Sequence, residues 1–281
     1  MREERFKKWI EQEILEFVRH DPGNRLEYLD GSRIFDDPLV GFASGDDPVF
    51  ERFKEAVEEF HLTPREIAGK MGSEPEALGV ISYVLPISHA TKEENADSSE
   101  GPSERWAHTR LFGERFNRAL QNHLVNILRE KGHFAVAPEQ SPLFETMEGR
   151  NGQASTWSQR HVAFAAGLGT FGLSDGLITP LGKAHRLGSV VVDFPLTSPE
   201  RPGDIHRDCL YFQDGGCMEC VARCPVNAID PHGHDKGKCG GFVYAQEPMI
   251  QDRYGIDVHA CGLCQTGIPC AHRSPVRDRE E

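Results

Sequence analysis

Cys209-Leu-Tyr-Phe-Gln-Asp-Gly-Gly-Cys217-Met-Glu-Cys220-Val-Ala-Arg-Cys224-Pro225 opens the last quarter of this chain, and Cys239 and then Cys261-Gly-Leu-Cys264-Gln-Thr-Gly-Ile-Pro-Cys270 follow. These are all eight cysteines of a 281-residue protein, and none lies before position 209. A thiol used for packing is a small hydrophobe that any part of a core accepts. Confinement to one stretch means that the sulfurs act together.

Spacing indicates what they bind. The bacterial two-cluster ferredoxin run is C-x2-C-x2-C-x3-C-P, with the first three thiolates on one [4Fe–4S] cube and the fourth on the other. Cys217-x2-Cys220-x3-Cys224-Pro225 reproduces its later part. Pro225 removes a backbone donor and keeps the turn from continuing as helix. Cys209 stands as a displaced first ligand, and Cys261-x2-Cys264-x5-Cys270 is a looser second group. Eight thiolates supply two cubes with four sulfurs each. A disulfide framework requires an oxidising compartment. Zinc prefers C-x2-C pairs or Cys/His sets at tetrahedral spacing, and His232 and His234 lie between the groups. The spacing favours iron–sulfur ligation over both.

The formal charge of -13 repels a long polyanion, so nucleic acid is not an expected partner unless a local basic patch captures it. Arg201, Arg207, Arg273, Arg277 and Arg279 are the candidates for such a patch. No apolar run approaches the ~20 residues of a membrane span. Met1-Arg-Glu-Glu-Arg-Phe-Lys-Lys leads into no apolar signal region. The expected location is cytoplasmic, where thiols stay reduced, with no membrane partner.

Outward from the cysteines, Phe6, Trp9, Ile10, Ile14, Phe17 and Val18 recur at helical spacing and predict an amphipathic helix over 4–19. Residues 21–46 read as an irregular connection. Asp47-Pro48 and Thr63-Pro64 are cap-plus-proline starts for helices reaching about Phe60 and Met71. Residues 1–75 thus form a helical N-terminal region. In 76–200, Val80, Ile81, Tyr83, Val84 and Leu85 predict a buried strand closed by Pro86. Residues 88–103 are polar and read as a loop or lid. A long helix over 105–131 ends at Gly132. His133–Ala137 reads as a second strand, parallel to the first in a βαβ unit. A loop over 138–153 and a helix over 156–166 follow. Leu177–Thr179 and Leu187–Val192 read as paired strands around Pro180-Leu-Gly182. The fold class is α+β: an α/β core with a helical N-terminal region and, over 201–281, a C-terminal two-cluster ferredoxin-like domain.

Gly167-Leu-Gly169-Thr-Phe-Gly172 matches G-x-G-x-x-G by letter. The dinucleotide fingerprint needs a strand before it and a helix after it; here the order is reversed, so NAD is not expected. Such glycines let the backbone approach another group closely. That group is either neighbouring protein or the flat face of a cofactor.

Ala166-Gly167-Leu168-Gly169 before a hairpin, the run ending Cys224-Pro225, the lone cysteine of Asp235-Lys-Gly-Lys-Cys239, and Tyr254-Gly255 with Cys261-Gly-Leu-Cys264-Gln265 resemble the epoxyqueuosine reductase family, relatives of the reductive dehalogenases. The resemblance covers about residues 77–275, and the order of the cysteines is its specific part. It implies an α/β core that binds a base-off corrinoid (cobalamin) and a two-cluster domain that feeds electrons to cobalt. Gly167, Leu168, Gly169, Thr170 and Gly172 would then be the cofactor-binding turn. It also implies that Cys209, Cys217, Cys220 and Cys270 hold one [4Fe–4S] cluster and that Cys224, Cys239, Cys261 and Cys264 hold the other. The crossing agrees with the two-cluster rule.

Two departures matter. The family turn continues with tryptophan and then Gly-Lys, where this chain has Thr170-Phe171-Gly172-Leu173. Family reductases carry an acidic proton donor about one helix before the turn, and 153–166 here holds no Asp or Glu. Reducing an epoxide to an alkene needs a general acid. His161 can carry a proton, yet a histidine on a helix is more often structural, so the catalytic residues stay unassigned. With the charge, this points away from tRNA epoxyqueuosine as substrate. The expectation is an iron–sulfur oxidoreductase with a low-potential protein partner. It passes electrons through two clusters to a site near the 167–172 turn, with or without a corrinoid, for a small-molecule substrate. The competing expectation is a non-catalytic ferredoxin-like carrier serving a partner enzyme.

Overall fold

The computed structural model describes residues 2–276. Arg277 and Arg279, considered above for a basic patch, lie outside the described residues. Helix α1 (Arg2–His20) buries Phe6, Ile10, Ile14 and Val18, a stripe with a four-residue step. Strand β1 (Leu39–Ser44), helix α2 (Val49–Ala56) and helix α3 (Pro64–Lys70) follow. Thr63 opens α3 with a capping box: Glu66 N donates to Thr63 Oγ1 at 3.2 Å, and Thr63 N donates to Glu66 Oε2 at 2.8 Å. Next come β2 (Gly79–Pro86), α4 (His89–Ala96), α5 (Glu104–Glu130) and the short β3 (Ala135–Val136). A hairpin of β4 (Thr146–Gly149) and β5 (Gly152–Ser155) leads to α6 (Gln159–Ala165). Strands β6 (Thr170–Phe171), β7 (Leu177–Ile178) and β8 (His185–Val192) complete the core. The cysteine-bearing part holds α7 (Leu210–Asp214), α8 (Glu219–Ala222), the strand pair β9 (Ile229–Asp230) and β10 (Gly233–His234), α9 (Lys236–Ala245) and α10 (Glu247–Tyr254).

The central sheet has the order β1-β2-β8-β3, and every neighbouring pair is antiparallel. β2 runs against β8 from Gly79↔Val192 to Pro86↔His185. Every residue of β2 is buried, because both faces of the sheet are covered. Ile81, Tyr83 and Leu85 point to one face, where α1 and α5 pack; Val80 and Val84 point to the other, where α2, α3 and α6 pack. The alternation is the period-2 pleat of a strand, and a helix layer on each face explains why the run reads as continuously apolar. Tyr83 is fixed across the layers: its hydroxyl donates to Asn117 Oδ1 at 2.8 Å, and Asn117 Nδ2 donates to the Leu187 carbonyl at 3.1 Å.

Several expectations need correction. β2 and β3 do run in the same direction, but β8 lies between them, so the crossover joins strands that never pair. The sheet is therefore antiparallel, and the core is mixed α+β rather than a parallel α/β unit. Residues 21–46 contain β1, whose register from Leu39↔Val84 to Ser44↔Gly79 ties the first 75 residues into the central sheet. The 138–153 segment carries most of the β4–β5 hairpin. β7 pairs with β6 rather than with β8. Residues 88–103 are not a lid: α4 buries Thr91, Lys92 and Asn95 and serves as a platform for the cysteine-bearing part. Asn95 Nδ2 donates to Thr266 Oγ1 at 3.0 Å, while Arg223 donates to the Ala96 carbonyl at 2.9 Å, the Asn95 carbonyl at 3.0 Å and the Leu263 carbonyl at 3.2 Å. The polar composition of α4 reflects a protein-facing hydrogen-bonding surface.

Candidate functional site

Cys209 sits just before α7, Cys220 lies on α8, and Cys217 stands between those helices. Cys270 arrives from the end of the chain. These four sulfurs line one small cavity, together with Gly172, Leu173, Ile178 and Lys183. Cys224 follows α8, Cys239 lies on α9, and Cys261 and Cys264 flank the start of the 3-10 turn Leu263–Gln265. The charge environment of Cys270 and Cys261 divides the same way, while Cys220 faces Cys264 of the second group as well as Cys209 and Cys217. Cys270 faces Cys209, Cys220 and Cys217, whereas Cys261 faces Cys264, Cys239 and Cys224. Burial, reinforced by these neighbouring sulfurs, pushes the thiols of Cys220, Cys239 and Cys270 up to about 11 and that of Cys261 up to about 12. A metal centre must displace those protons, which couples its assembly to folding.

No disulfide joins any of the eight. Among the described residues no three cysteine sulfurs lie within 4.8 Å of one another. A tetrahedral zinc site with Zn–S of about 2.3 Å holds its sulfurs ~3.8 Å apart. The sulfurs are therefore not drawn together for a single tetrahedral ion, and thiolate donors are what iron–sulfur clusters take. Ala228 N donates to Cys224 Sγ at 3.1 Å, the kind of contact that tunes a cluster's potential.

The glycine turn holds the cysteine-bearing part in place. Phe171 N donates to the Ile205 carbonyl at 2.7 Å, and His206 Nδ1 meets the Phe171 carbonyl at 2.9 Å. Thr170 Oγ1 donates to Asp208 Oδ2 at 2.9 Å and accepts from Asp208 N at 2.9 Å, next to Cys209. The close approach at the glycines is to protein. Gly167, at φ +74°, presses on Pro199; Gly169 leaves no room for a Cβ against the Ile178 carbonyl; Gly172 packs on the Ile178 side chain. Gly167, Leu168, Gly169 and Thr170 line neither the sulfur cavity nor the two clefts described next, whereas Gly172 reaches the sulfur cavity.

A cleft of about 390 Å³ begins at Cys239 and Cys264 and runs into the core along Lys183, His185, Gln159 and Glu139. Its floor is a continuous hydrogen-bond chain. Trp157 Nε1 donates to Ser189 Oγ at 3.0 Å, Ser189 Oγ to Gln159 Oε1 at 2.7 Å, and Gln159 Nε2 to Glu139 Oε2 at 3.0 Å. Burial, and then the Glu114 charge, hold the Glu139 carboxyl above the usual carboxylate range. Burial holds His185 down to about 4, so it is a neutral imidazole whose Nε2–H donates to the Leu177 carbonyl at 2.9 Å.

Arg160 and His234 border this cleft and also a larger one of about 1240 Å³ between α2, α6 and the segment 232–237. That volume exceeds the ~300–1,000 Å³ of ordinary small-molecule pockets. Phe171 contributes to its wall. Arg201 in this wall is held by Asp47 at 2.8 Å and Arg150 by Glu58 at 3.2 Å, so these cations are already committed. His161 also faces the large cleft, but burial holds it down to about 3 and Ser158 Oγ lies 2.8 Å from its Nδ1. It is neutral at pH 7 and has no acidic proton to give.

No protein-family profile matches the chain. An epoxyqueuosine reductase of Bacillus cereus is 31% identical over 118 residues, which is 40% of this chain and 29% of that protein. The epoxyqueuosine reductase of Staphylococcus aureus is 33% identical over 118 residues, with the same shares of 40% and 29%. A crystallised epoxyqueuosine reductase superposes on 94% of this chain and 66% of its own, with TM-score 0.50 and 16% identity. A catabolic reductive dehalogenase bound to 3-bromo-4-hydroxybenzoic acid covers 98% of this chain and 38% of its own, with TM-score 0.54 and 15% identity. The fold is epoxyqueuosine reductase-like. It is structurally related to the reductive dehalogenases, the homology is distant, and the chain matches under a third of the length of these curated relatives. The proteins it resembles are oxidoreductases.

Within this reductase-like fold, the eight cysteine positions were readable in the sequence, whereas the surroundings of Glu139 and Lys183 were not. Glu139 lies in the short 3-10 turn Pro138–Gln140 that follows β3. No motif marks it or Lys183.

Proposed function

We propose that this chain is an iron–sulfur oxidoreductase. Cys209, Cys217, Cys220 and Cys270 hold one [4Fe–4S] cluster, and Cys224, Cys239, Cys261 and Cys264 hold the other. Bound there, the clusters supply one-electron transfer at potentials set by thiolate ligation, sulfur hydrogen bonds and burial. The observation that carries the reading is the closure of one cavity by Cys209, Cys217, Cys220 and the sequence-distant Cys270. Cys239 and Cys264 open onto the 390 Å³ cleft, so electrons leave the protein's sulfur network there, toward a small-molecule acceptor. Glu139, held above the usual carboxylate range, is the group in that cleft suited to deliver a proton. An external low-potential donor protein supplies the electrons. A pure carrier has no use for a recessed cleft with a hydrogen-bonded floor, which favours the enzyme over the ferredoxin-like alternative.

The corrinoid implied by the resemblance has a candidate seat in the 1240 Å³ cleft, on the ground of volume. The glycine turn does not fit as its cradle, since protein fills the space a Cβ would occupy at Gly167 and Gly169 and crowds it at Gly172. No step is assigned to it. The net charge of -13 speaks against tRNA as substrate. The test is anaerobic purification with iron, sulfide, zinc and cobalt analysis, visible absorption, and EPR after dithionite reduction. Iron and sulfide in equal amounts, with an EPR signal on reduction, are expected. Folded protein that carries zinc and no iron sinks the proposal.

A further inference from the structure

Lys183 is buried at 4% exposure, yet it carries a side chain that is ordinarily charged. Among the described residues its ammonium has no carboxylate partner. It donates to the neutral Ser174 hydroxyl and, at 3.1 Å, to the carbonyl of Cys264. Its backbone N donates to the carbonyl of Cys270 at 2.9 Å. One residue thus contacts a member of each cysteine quartet. It also lines both the cavity closed by Cys270 and the cleft that starts at Cys264.

The fold is shaped to put it there. Gly182, at φ +85°, lets the chain pass against the Ala271 carbonyl, where a side chain would collide. Gly176 leaves space for the lysine methylenes. A buried, unpaired ammonium is strongly disfavoured, so a sequence keeps one where an opposite charge is supplied. Among the described residues no carboxylate supplies it. A [4Fe–4S] cluster with four thiolates is an anion, and one-electron reduction makes it more negative.

We propose that Lys183 is a shared counter-cation between the two clusters, and that its positive charge raises the reduction potential of both. The inference rests on the two-cluster reading above. The ammonium stabilises the reduced state, which carries one more electron, over the oxidised state, because a fixed charge acts strongly at low dielectric. The electron itself comes from the external donor; Lys183 changes neither its bonds nor its proton.

The test is EPR-monitored potentiometry on anaerobically purified wild type, K183Q, K183M and K183R, with dithionite as reductant and iron content measured for each. K183Q keeps hydrogen bonding to Ser174 and the Cys264 carbonyl without the charge; K183R keeps the charge. With full iron in every variant, K183Q and K183M are expected to shift the oxidised-to-reduced ratio at fixed potential at least tenfold toward oxidised for both clusters. That corresponds to about 59 mV downward for one electron. K183R is expected to return toward wild type. Neutral variants that lose iron while K183R keeps it also support the proposal, because the charge is then needed to hold the anions. Full iron with unchanged midpoints in K183Q, or equal shifts in K183Q and K183R, overturns it. A wild type without iron overturns the two-cluster reading instead.

Discussion

Thr170 and Asp208 hold each other reciprocally: the threonine hydroxyl donates to the buried carboxylate, and the backbone N of the aspartate donates back to the same hydroxyl, both at 2.9 Å. Asp208 also accepts from Ser274 Oγ at 2.8 Å, so one carboxylate joins the glycine turn, the approach to Cys209 and the segment beyond Cys270. Thr170→Val keeps the shape and removes the hydroxyl. Leaving buried polar groups short of a partner costs about 1–3 kcal/mol. Urea unfolding is expected to show that loss, and iron at the quartet containing Cys209 is expected to leak faster to a chelator. Unchanged stability and iron retention would show that the pair does not hold the two parts together.

The quartets predict a pattern of iron loss. Cys220→Ser and Cys270→Ser are expected to lose the same half of the iron and to keep the same residual EPR signal. Cys239→Ser and Cys261→Ser are expected to lose the other half. If Cys270→Ser instead leaves the signal that Cys220→Ser removes, the grouping is wrong.

Arg223 ties α8 to α4 and to the 3-10 turn through three backbone carbonyls. Arg223→Met keeps much of the side-chain bulk and deletes all three bonds. Hydrogen bonds from a charged group contribute about 1.5–3 kcal/mol each. Hydrogen exchange is expected to speed up in 89–96 and 262–266 before it does in β2 or β8. Uniform protection across the chain would argue that α4 is not the platform.

His161 gives a pH dependence of definite sign. Its ordinary value is 6.5, and burial holds it at about 3 in the fold. Below pH 6.5 the unfolded chain binds a proton that the folded one refuses, so stability falls with pH until about pH 3. At pH 5.5 the loss from this residue is about 1.4 kcal/mol relative to pH above 7. His161→Leu is expected to flatten the stability profile between pH 7 and 5.5 by that order. A variant whose profile has the wild-type slope would show that the imidazole is not excluded from protonation.

How far the sequence could be read depended on where each signal resides. β2 was legible because Val80, Ile81, Tyr83, Val84 and Leu85 are buried between two helix layers and must all be apolar. α3 was legible because Thr63 and Glu66 cap it locally. β1 was hidden because Gly41 sits in its middle. That glycine has a spatial cause, since a Cβ there would lie 2.6 Å from the Ala166 carbonyl. α4 was hidden because its buried face is polar and meets Arg223 and Thr266, both far away in sequence. The insertion of β8 between β2 and β3 leaves no local trace at all. The cysteine positions were plain in the sequence, while Lys183 and Glu139 gain their surroundings only when distant segments close over them.

The cavity formed by Cys209, Cys217 and Cys220 is closed by Cys270, which the ribosome makes well after the other three. Whatever fills it can be fully enclosed only once that late residue has emerged. A chain cut short just before Cys270 would keep seven of the eight sulfurs and its whole central sheet, yet it would lack the closing wall of the first cavity.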